Sequence, residues 1–209
     1  VVEGALTRLR PVLMTALAMI IGMQINPLRD RVTALHDIMK KHPDIEVIEV
    51  AAPLDPVGAA QALKDALLAN ENVDGIWNIA DVFGMNFVAT MQELGMLKPV
   101  GEEGHIILTS MDGTDWALEE IRNGNFDATV SSYLYEWGYL AAWGLGQQFG
   151  GRPEALAQPT ISAPSKQWNN SAMKDMPNGR YLGLKSFLVT KDNVDDPNAW
   201  GNQVKTILK

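Results

Sequence analysis

Two aspartates stand where two apolar stretches of this chain end. Asp81 closes the run from Val73 to Ala80, and Asp112 closes the run that starts at His105. Each run has the length of a strand and precedes a stretch with helical spacing. Because the carboxyl ends of parallel strands meet at one edge of a sheet, where ligands bind, we expect both carboxylates on a ligand-facing rim. An acidic rim without a phosphate-binding loop favours hydroxyl-rich ligands over nucleotides.

Two further polar residues are predicted to reach the same rim. Arg29 starts a helix after the first strand and loop, and Ser132 follows the strand that begins at Phe126. Carboxylate and guanidinium groups make strong, oriented hydrogen bonds, which suits them to pairs of sugar hydroxyls. Sugar sites also use an aromatic ring against the apolar face of the sugar. Trp168, which lies in an irregular segment, is the best candidate for an exposed aromatic residue.

Strand and helix patterns alternate along most of the chain, which predicts an α/β fold with a doubly wound, mostly parallel sheet and helices on both faces. The crossovers of such a sheet are right-handed. Helical spacing or composition covers residues 28–41, 57–70, 82–94, 115–122, 133–149 and 199–208. Strand patterns cover residues 45–50, 73–80, 105–111, 126–130 and 185–190.

Two segments depart from this rhythm. Residues 1–23 carry Arg8 and Arg10 before an apolar run that is shorter than the roughly 20 residues of a membrane span. This segment has three interpretations: a signal peptide, a membrane-like piece or foreign junction, or a buried strand from Ala18 to Met23. Residues 24–209 then form the main unit. Within it, residues 151–182 hold Pro, Asn, Ser and Gly without a clear period and are predicted to be a hinge or a surface excursion.

Composition excludes several classes of function. The net charge of -8 argues against nucleic acid or an anionic membrane surface as the main partner, because both attract basic proteins. The chain has no cysteine, which excludes disulfides, thiol catalysis and cysteine–zinc sites and fits an oxidising compartment. The three histidines, His36, His42 and His105, do not pair at metal-ligand spacing. We therefore expect no metal site.

The enzyme alternatives each lack an essential group. Asp112-Gly113-Thr114 after a strand is similar to the motif of haloacid-dehalogenase-type phosphatases, but Ser110 stands where their nucleophilic aspartate belongs. Gly144 and Gly146 lie within a helical stretch, which is the wrong context for a dinucleotide site. No nucleophile elbow of the GxSxG type occurs, although an α/β hydrolase remains the residual enzyme alternative. We expect no catalytic residue and no cofactor.

Two resemblances to known families extend this interpretation. Residues 7–15, TRLRPVLMT, closely resemble a segment of resistance-nodulation-division efflux transporters. Residues from about 18 to 209 resemble the C-terminal part of type I periplasmic sugar-binding proteins, the ribose-binding-like family. The motifs are RDR at 29–31, HPDIEV at 42–47, ALKDALLAN at 62–70, VDGI at 73–76, MDGT at 111–114, ALEEIRNG at 117–124, ATV at 128–130 and LVTKDNVD at 188–195.

The second resemblance implies a role and a set of ligand positions. Family members are periplasmic components of ABC importers that bind a sugar or polyol and are recognised by a membrane permease. The helix-starting ligand arginine of the family falls on Arg29, and its ligand aspartate falls on Asp112. Ala80 replaces the family's asparagine, Ser132 replaces a glutamine, and Leu54 replaces an aromatic residue. These replacements imply a pocket tuned to a different sugar or polyol, with Asp81 or Asn78 compensating for the lost asparagine.

The resemblance also implies a two-lobed protein in which the ligand is enclosed between the lobes. Most of the N-terminal lobe is expected to be missing from this sequence, so that the chain is a truncated half-site. The expected location is periplasmic, or extracytoplasmic and membrane-associated through the N-terminus. Two alternatives remain open: the effector-binding core of a LacI-type regulator, for which we find no helix-turn-helix, and a membrane-transporter fragment fused to a partial binding domain.

Overall fold

The computed structural model describes residues 14–152, 154–161, 171–177, 179–183 and 185–207. The strands are β1 (Met14–Ile21), β2 (Ile45–Ala52), β3 (Gly75–Asn78), β4 (Ile107–Asp112), β5 (Ala128–Ser132), β6 (Thr160–Ile161), β7 (Ser171–Met176), β8 (Gly179–Leu182) and β9 (Ser186–Val189). The helices are α1 (Asn26–Met39), α2 (Pro56–Ala69), α3 (Asp81–Glu93), α4 (Asp115–Asn123), α5 (Leu134–Phe149), α6 (Glu154–Ala157) and α7 (Trp200–Ile207).

The main sheet confirms the predicted fold class. Its strand order is β2-β1-β3-β4-β5-β9, and all pairs are parallel except β5 with β9. The chain moves in one direction from β1 to β2 and in the opposite direction from β2 to β3. Because crossovers are right-handed, this reversal places α1 and α2 on opposite faces of the sheet. The reversal also opens a crevice at the carboxyl ends of β1 and β3.

The first described strand, β1, lies inside the sheet. Leu17 pairs with Ile48 of β2 on one side and with Ile76 of β3 on the other. Leu17 and Met19 have no exposed surface, as expected for a strand with two neighbours. Residues 14–21 of this segment therefore form a buried strand of the sheet, which overlaps the strand predicted from Ala18 to Met23, whereas the assignment of residues 1–23 as a separate segment stays a prediction. Residues 1–13 lie outside the described residues.

A single apolar core lies between the sheet and the helices α2, α3 and α4. Each large apolar side chain that is buried in this core stabilises the fold by about 1.5–3 kcal/mol, and together these side chains hold the sheet and the helices against each other. The fully buried core side chains include Leu17, Met19, Ile21, Leu63, Leu67, Ile76, Phe87, Met91, Leu108, Leu118 and Ile121. The loops that follow β1, β3, β4 and β5 all leave this core at the same edge.

Residues 151–182 contain more regular structure than their composition predicts. The described part forms the short helix α6 and a small antiparallel sheet of order β6-β7-β8. Met176 of β7 pairs with Gly179 of β8. The assignment of residues 151–182 as a hinge or a surface excursion stays a prediction. Short antiparallel strands are compatible with the composition of this segment, because such pairing needs only a partner strand and tolerates an irregular polar pattern.

Within the described residues, no helix is long and apolar enough to cross a membrane.

Candidate functional site

The carboxyl edge of the sheet gathers polar groups from the connections that follow four neighbouring strands, β1, β3, β4 and β5. The strands β3, β4 and β5 end at Asn78, Asp112 and Ser132, and the helix after β1 contributes Arg31. In the pairing of β4 with β5, Asp112 lies opposite Ser131. The neighbouring strand ends therefore bring together residues that are separated by dozens of positions in the chain.

An ion pair joins the helix α1 to this edge. Arg31 donates through Nη2 to Asp112 Oδ1 at 2.6 Å and through Nη1 to the carbonyl oxygen of Ile79 at 2.7 Å. The two charged side chains keep 16% and 21% of their surface exposed. A charged hydrogen bond of this kind is stronger than a neutral one and is oriented by the planar guanidinium. The pair thus holds a carboxylate at the rim while leaving it within reach of a ligand.

The carboxyl group of Asp112 lies in a partly dry environment. Burial raises the pKa of Asp112 above its ordinary value of 3.8, and the charge and hydrogen bond of Arg31 oppose this rise. The backbone N–H of Asp81, at the start of α3, also favours the ionised form of Asp112. Such a group can accept hydrogen bonds from sugar hydroxyls without first giving up a full hydration shell.

The backbone at Asp112 is strained. Its φ of +123° lies in a region that residues with a side chain rarely adopt, and Gly113 follows with a φ of +79°. A conformation of this kind costs of the order of 1–3 kcal/mol and persists only where the surroundings impose it. The amide of Gly201 donates to the carbonyl oxygen of Gly113 at 2.8 Å. A Cβ atom on Gly113 would lie 2.5 Å from Ser131 Oγ, so this turn is closely packed.

Asp81 lies behind the rim rather than on it. Its residue is 2% exposed, and its Oδ2 accepts the backbone N–H of Thr114 at 2.8 Å and the Thr114 hydroxyl at 3.0 Å. Its Oδ1 accepts the hydroxyl of Thr129 at 3.0 Å. Burial raises the pKa of Asp81 above 3.8, although the hydrogen bonds from Thr114, Ser110 and Thr129 act in the opposite direction. Asp81, which was predicted as a ligand residue, is thus a buried carboxylate that follows β3 and accepts hydrogen bonds from the segment after β4 and from β5.

The raised pKa of Asp81 predicts a pH-dependent stability. An acid whose pKa is higher in the folded state contributes stability that is complete below the unfolded pKa, here taken as 3.8, and that is lost as the pH rises through the folded pKa. We expect the free energy of unfolding of the wild type, minus that of Asp81→Asn, to fall as the pH rises through the range above the ordinary pKa of 3.8, by at most about 1.4 kcal/mol per pH unit. Urea denaturation across this range measures it, and a difference that stays constant or grows with pH contradicts the prediction.

The two arginines of α1 are placed differently. Arg29 is exposed and donates to Asn26 Oδ1 at 2.6 Å within its own helix, whereas Arg31 reaches the strand ends. Residues two apart on a helix point about 200° apart, so only one of them can face the sheet. The sequence signal for Arg31 was available: it lies three residues after Leu28 and four before Leu35, on the partly buried side of α1. The assignment of Arg29 as a ligand residue stays a prediction.

The other predicted site residues are scattered. Ser132 is 7% exposed and pairs with Ser186 of β9. Leu54 is 55% exposed, and it reaches the loop after β1, where its Cδ1 lies 2.9 Å from the Cβ position of Gly22. Trp168 lies outside the described residues. The structure therefore places Asp81 and Asp112 at one edge of the sheet, with Arg31 bound to Asp112 and to the Ile79 carbonyl oxygen. The assignment of these residues as ligand-binding residues stays a prediction.

Behind the edge, Ser110 and Asn78 form a buried hydrogen-bonded pair. Ser110, which occupies the position of the phosphatase nucleophile, is 3% exposed and accepts a hydrogen bond from Asn78 Nδ2 at 3.2 Å. Asn78 also donates to the carbonyl oxygen of Ala80 at 2.7 Å, so its amide faces inward. Within the described part of the chain, no group of three or more His, Asp or Glu side chains could hold a metal ion. The partly exposed groups of the edge, Arg31 and Asp112, can donate and accept hydrogen bonds.

A doubly wound sheet of this strand order, with paired charged groups at its carboxyl edge, has the architecture of a lobe of a type I periplasmic binding protein. The model of the periplasmic binding protein domain family matches residues 18–153, well over half of the chain. The chain therefore belongs to the periplasmic binding protein domain family. No curated protein matches the sequence.

Solved structures share this fold at low sequence identity. An ABC transporter solute binding protein from Bacillus halodurans C-125 with bound myo-inositol superposes with a TM-score of 0.68 at 17% identity, covering 94% of this chain and 57% of its own. A Mycobacterium smegmatis protein in complex with β-D-fucofuranose has a TM-score of 0.68 at 14% identity, with 99% and 57% coverage. An ABC transporter periplasmic solute binding protein from Actinobacillus succinogenes 130z with bound D-allose has a TM-score of 0.66 at 14% identity, with 88% and 55% coverage.

The chain spans little more than half the length of the structures that it resembles. The family match and these structures give no support to the likeness of residues 7–15 to efflux transporters, and Met14 and Thr15 of that segment lie in β1.

Proposed function

We propose that this chain is the ligand-binding lobe of a non-catalytic substrate-binding component of an ABC-type sugar importer, and that a small sugar or polyol binds at the Asp112 rim. The observation that carries the proposal is the ion pair of Arg31 with Asp112 at the carboxyl edge of the sheet, where both side chains stay partly exposed. A ligand that is rich in hydroxyl groups matches this edge, because each hydroxyl can donate to the carboxylate and accept from the guanidinium.

The proposed recognition assigns a part to each charged group. Asp112 accepts hydrogen bonds from one or two sugar hydroxyls while Arg31 fixes its orientation. Arg29, which is exposed on the first turn of the same helix, can exchange its hydrogen bond with Asn26 for one with the ligand. The buried network behind Asp112 keeps the rim in place, so little ordering is required when the sugar binds.

The family and the ligands of the similar structures support the wider proposal. Those structures hold D-allose, myo-inositol and β-D-fucofuranose, and two of them are described as ABC transporter binding proteins. We place the protein in the periplasm, where a second lobe completes the site, closes over the sugar and creates the surface that a membrane permease recognises.

Binding to the chain itself is testable by NMR, because a half-site is expected to bind weakly. We expect at least one sugar from a panel of D-ribose, L-arabinose, D-galactose, D-allose and myo-inositol to shift the amide signals of Gly113 and Thr114 saturably. A dissociation constant around 1 mM corresponds to only about 4 kcal/mol of binding free energy, so the titrations extend to the order of 10 mM.

The amide of Leu108 serves as the internal control, because it lies at the amino end of β4, away from the rim, and is held by Asp127 Oδ2 at 2.7 Å. L-leucine is the control ligand. Shifts at Leu108 alone, equal shifts with L-leucine, or no shift with any sugar overturn the proposed function.

A further inference from the structure

The turn that carries Asp112 is held from behind by a single buried carboxylate. Thr114, two residues after Asp112, gives both its backbone N–H and its hydroxyl to Asp81 Oδ2. The amide of Gly113 donates to Thr129 Oγ1 at 3.3 Å, and that same hydroxyl donates to Asp81 Oδ1. Both amides that follow Asp112 are therefore connected to Asp81, one directly and one through the Thr129 hydroxyl.

The placement of Asp81 separates it from the ligand. It is 2% exposed, and Thr129 in front of it has no exposed surface, so a sugar hydroxyl does not reach its oxygens. Asp112, by contrast, keeps 21% of its side chain exposed at the rim. The strained φ of +123° at Asp112 needs an outside constraint, and the hydrogen bonds to Gly113 and Thr114 supply one immediately after it.

We propose that Asp81 is a positioning residue that acts through Thr129 and Thr114 to hold Asp112 at the angle where its carboxylate meets Arg31 and the ligand. It does not contact the sugar. This inference rests on the proposed function for its ligand, but the positioning of the turn is a property of the chain without ligand. The two parts are therefore tested by separate measurements.

The ligand-free measurement is amide hydrogen exchange under native conditions. In Asp81→Asn and in Thr129→Val we expect the amides of Gly113 and Thr114 to exchange roughly tenfold faster than in the wild type. The first variant removes the charge of the acceptor, and the second removes the Thr129 hydroxyl that links the Gly113 amide to Asp81. Thr129→Ser keeps the hydroxyl, and we expect it to restore the slow exchange.

Asp127→Asn is the matched control for a general loss of stability. Asp127 is also a partly buried carboxylate that accepts a backbone amide of β4, but it lies at the opposite edge of the sheet, beside His105. We expect this variant to leave the exchange of Gly113 and Thr114 unchanged relative to the amides of the core. Unchanged exchange in Asp81→Asn, or an equal acceleration in Asp127→Asn, overturns the positioning role.

The sugar measurement is a double-mutant cycle with the panel sugar that binds best. Asp81→Asn alone is expected to weaken binding roughly tenfold, but to add less than about twofold when Asp112 is already asparagine, because residues acting through one another are not additive. Additive losses show that Asp81 acts independently of Asp112 and overturn the inference. If no sugar binds while the exchange pattern is as expected, the proposed function fails and the positioning of the turn is supported.

Discussion

An Asp112→Asn variant is expected to bind the best panel sugar roughly 10- to 100-fold more weakly than the wild type, because hydrogen bonds to a charged group contribute about 1.5–3 kcal/mol. The amide keeps the size of the side chain and one acceptor oxygen, but it loses the charge that pairs with Arg31. Asparagine tolerates a positive φ better than most residues, so the strained turn is retained. The loss is measured from the NMR titration of the Gly113 and Thr114 amides, which for this variant is extended to the solubility limit of the sugar and evaluated from the initial slope of the shift against sugar concentration.

Asp115→Asn is the control that matches this change. Asp115 lies three residues further along the chain and loses the same charge, but its side chain is half exposed and paired with Lys205 at 2.5 Å on the surface. Surface ion pairs contribute about 0–1 kcal/mol, so we expect this variant to bind sugar within about twofold of the wild type. If the two variants bind sugar with equal affinity, Asp112 is not a ligand residue. The charge of the edge as a whole, rather than a specific hydrogen bond, would then be what affects sugar binding.

Gly113→Ala is expected to reduce the free energy of unfolding by about 3–5 kcal/mol, the largest stability effect that we anticipate. The new Cβ atom would lie 2.5 Å from Ser131 Oγ and 2.7 Å from Ser131 Cα, and the backbone of β5 cannot move aside without breaking its pairing. A left-handed φ of +79° adds a second penalty. At roughly 2–4 °C per kcal/mol for a chain of this size, the melting temperature should fall by about 10 °C.

Gly124→Ala separates the two causes. Gly124 has the same φ of +79° at the end of α4, but a Cβ atom there would meet nothing within 4 Å. Only the backbone penalty remains, and we expect a loss of about 1–2 kcal/mol. Urea denaturation of both variants gives the comparison. If the two variants lose the same free energy of unfolding, the Gly113 turn is not closely packed against β5. The packing of this turn would then not constrain the backbone of Asp112.

The fold class could be predicted because its helices and strands are specified by patterns among residues that are close together in the sequence. The predicted helix at 82–94 is α3 (Asp81–Glu93), and the one at 115–122 is α4 (Asp115–Asn123), because apolar spacing and stop signals such as Gly124 are carried by neighbouring residues. The alternation of strand and helix patterns predicted a mostly parallel, doubly wound sheet, and the observed strand order confirms it. The position of Asp112 at the end of β4 followed from the same patterns.

The division of labour among the charged residues depended on contacts across the sheet. Arg29 and Arg31 are equal in type. The apolar spacing of α1 puts Arg31 on its partly buried side, but only the packing of α1 against the ends of β3 and β4 shows that Asp112 is its partner. Asp81 and Asp112 both end an apolar run, yet one is buried behind the turn and the other stays at the rim. Sequence patterns report spacing within one element, whereas burial depends on which distant element covers a side chain. The sequence by itself therefore determined the edge and its two aspartates, and only the tertiary structure decided which carboxylate stays partly exposed at the rim and which one is buried behind it.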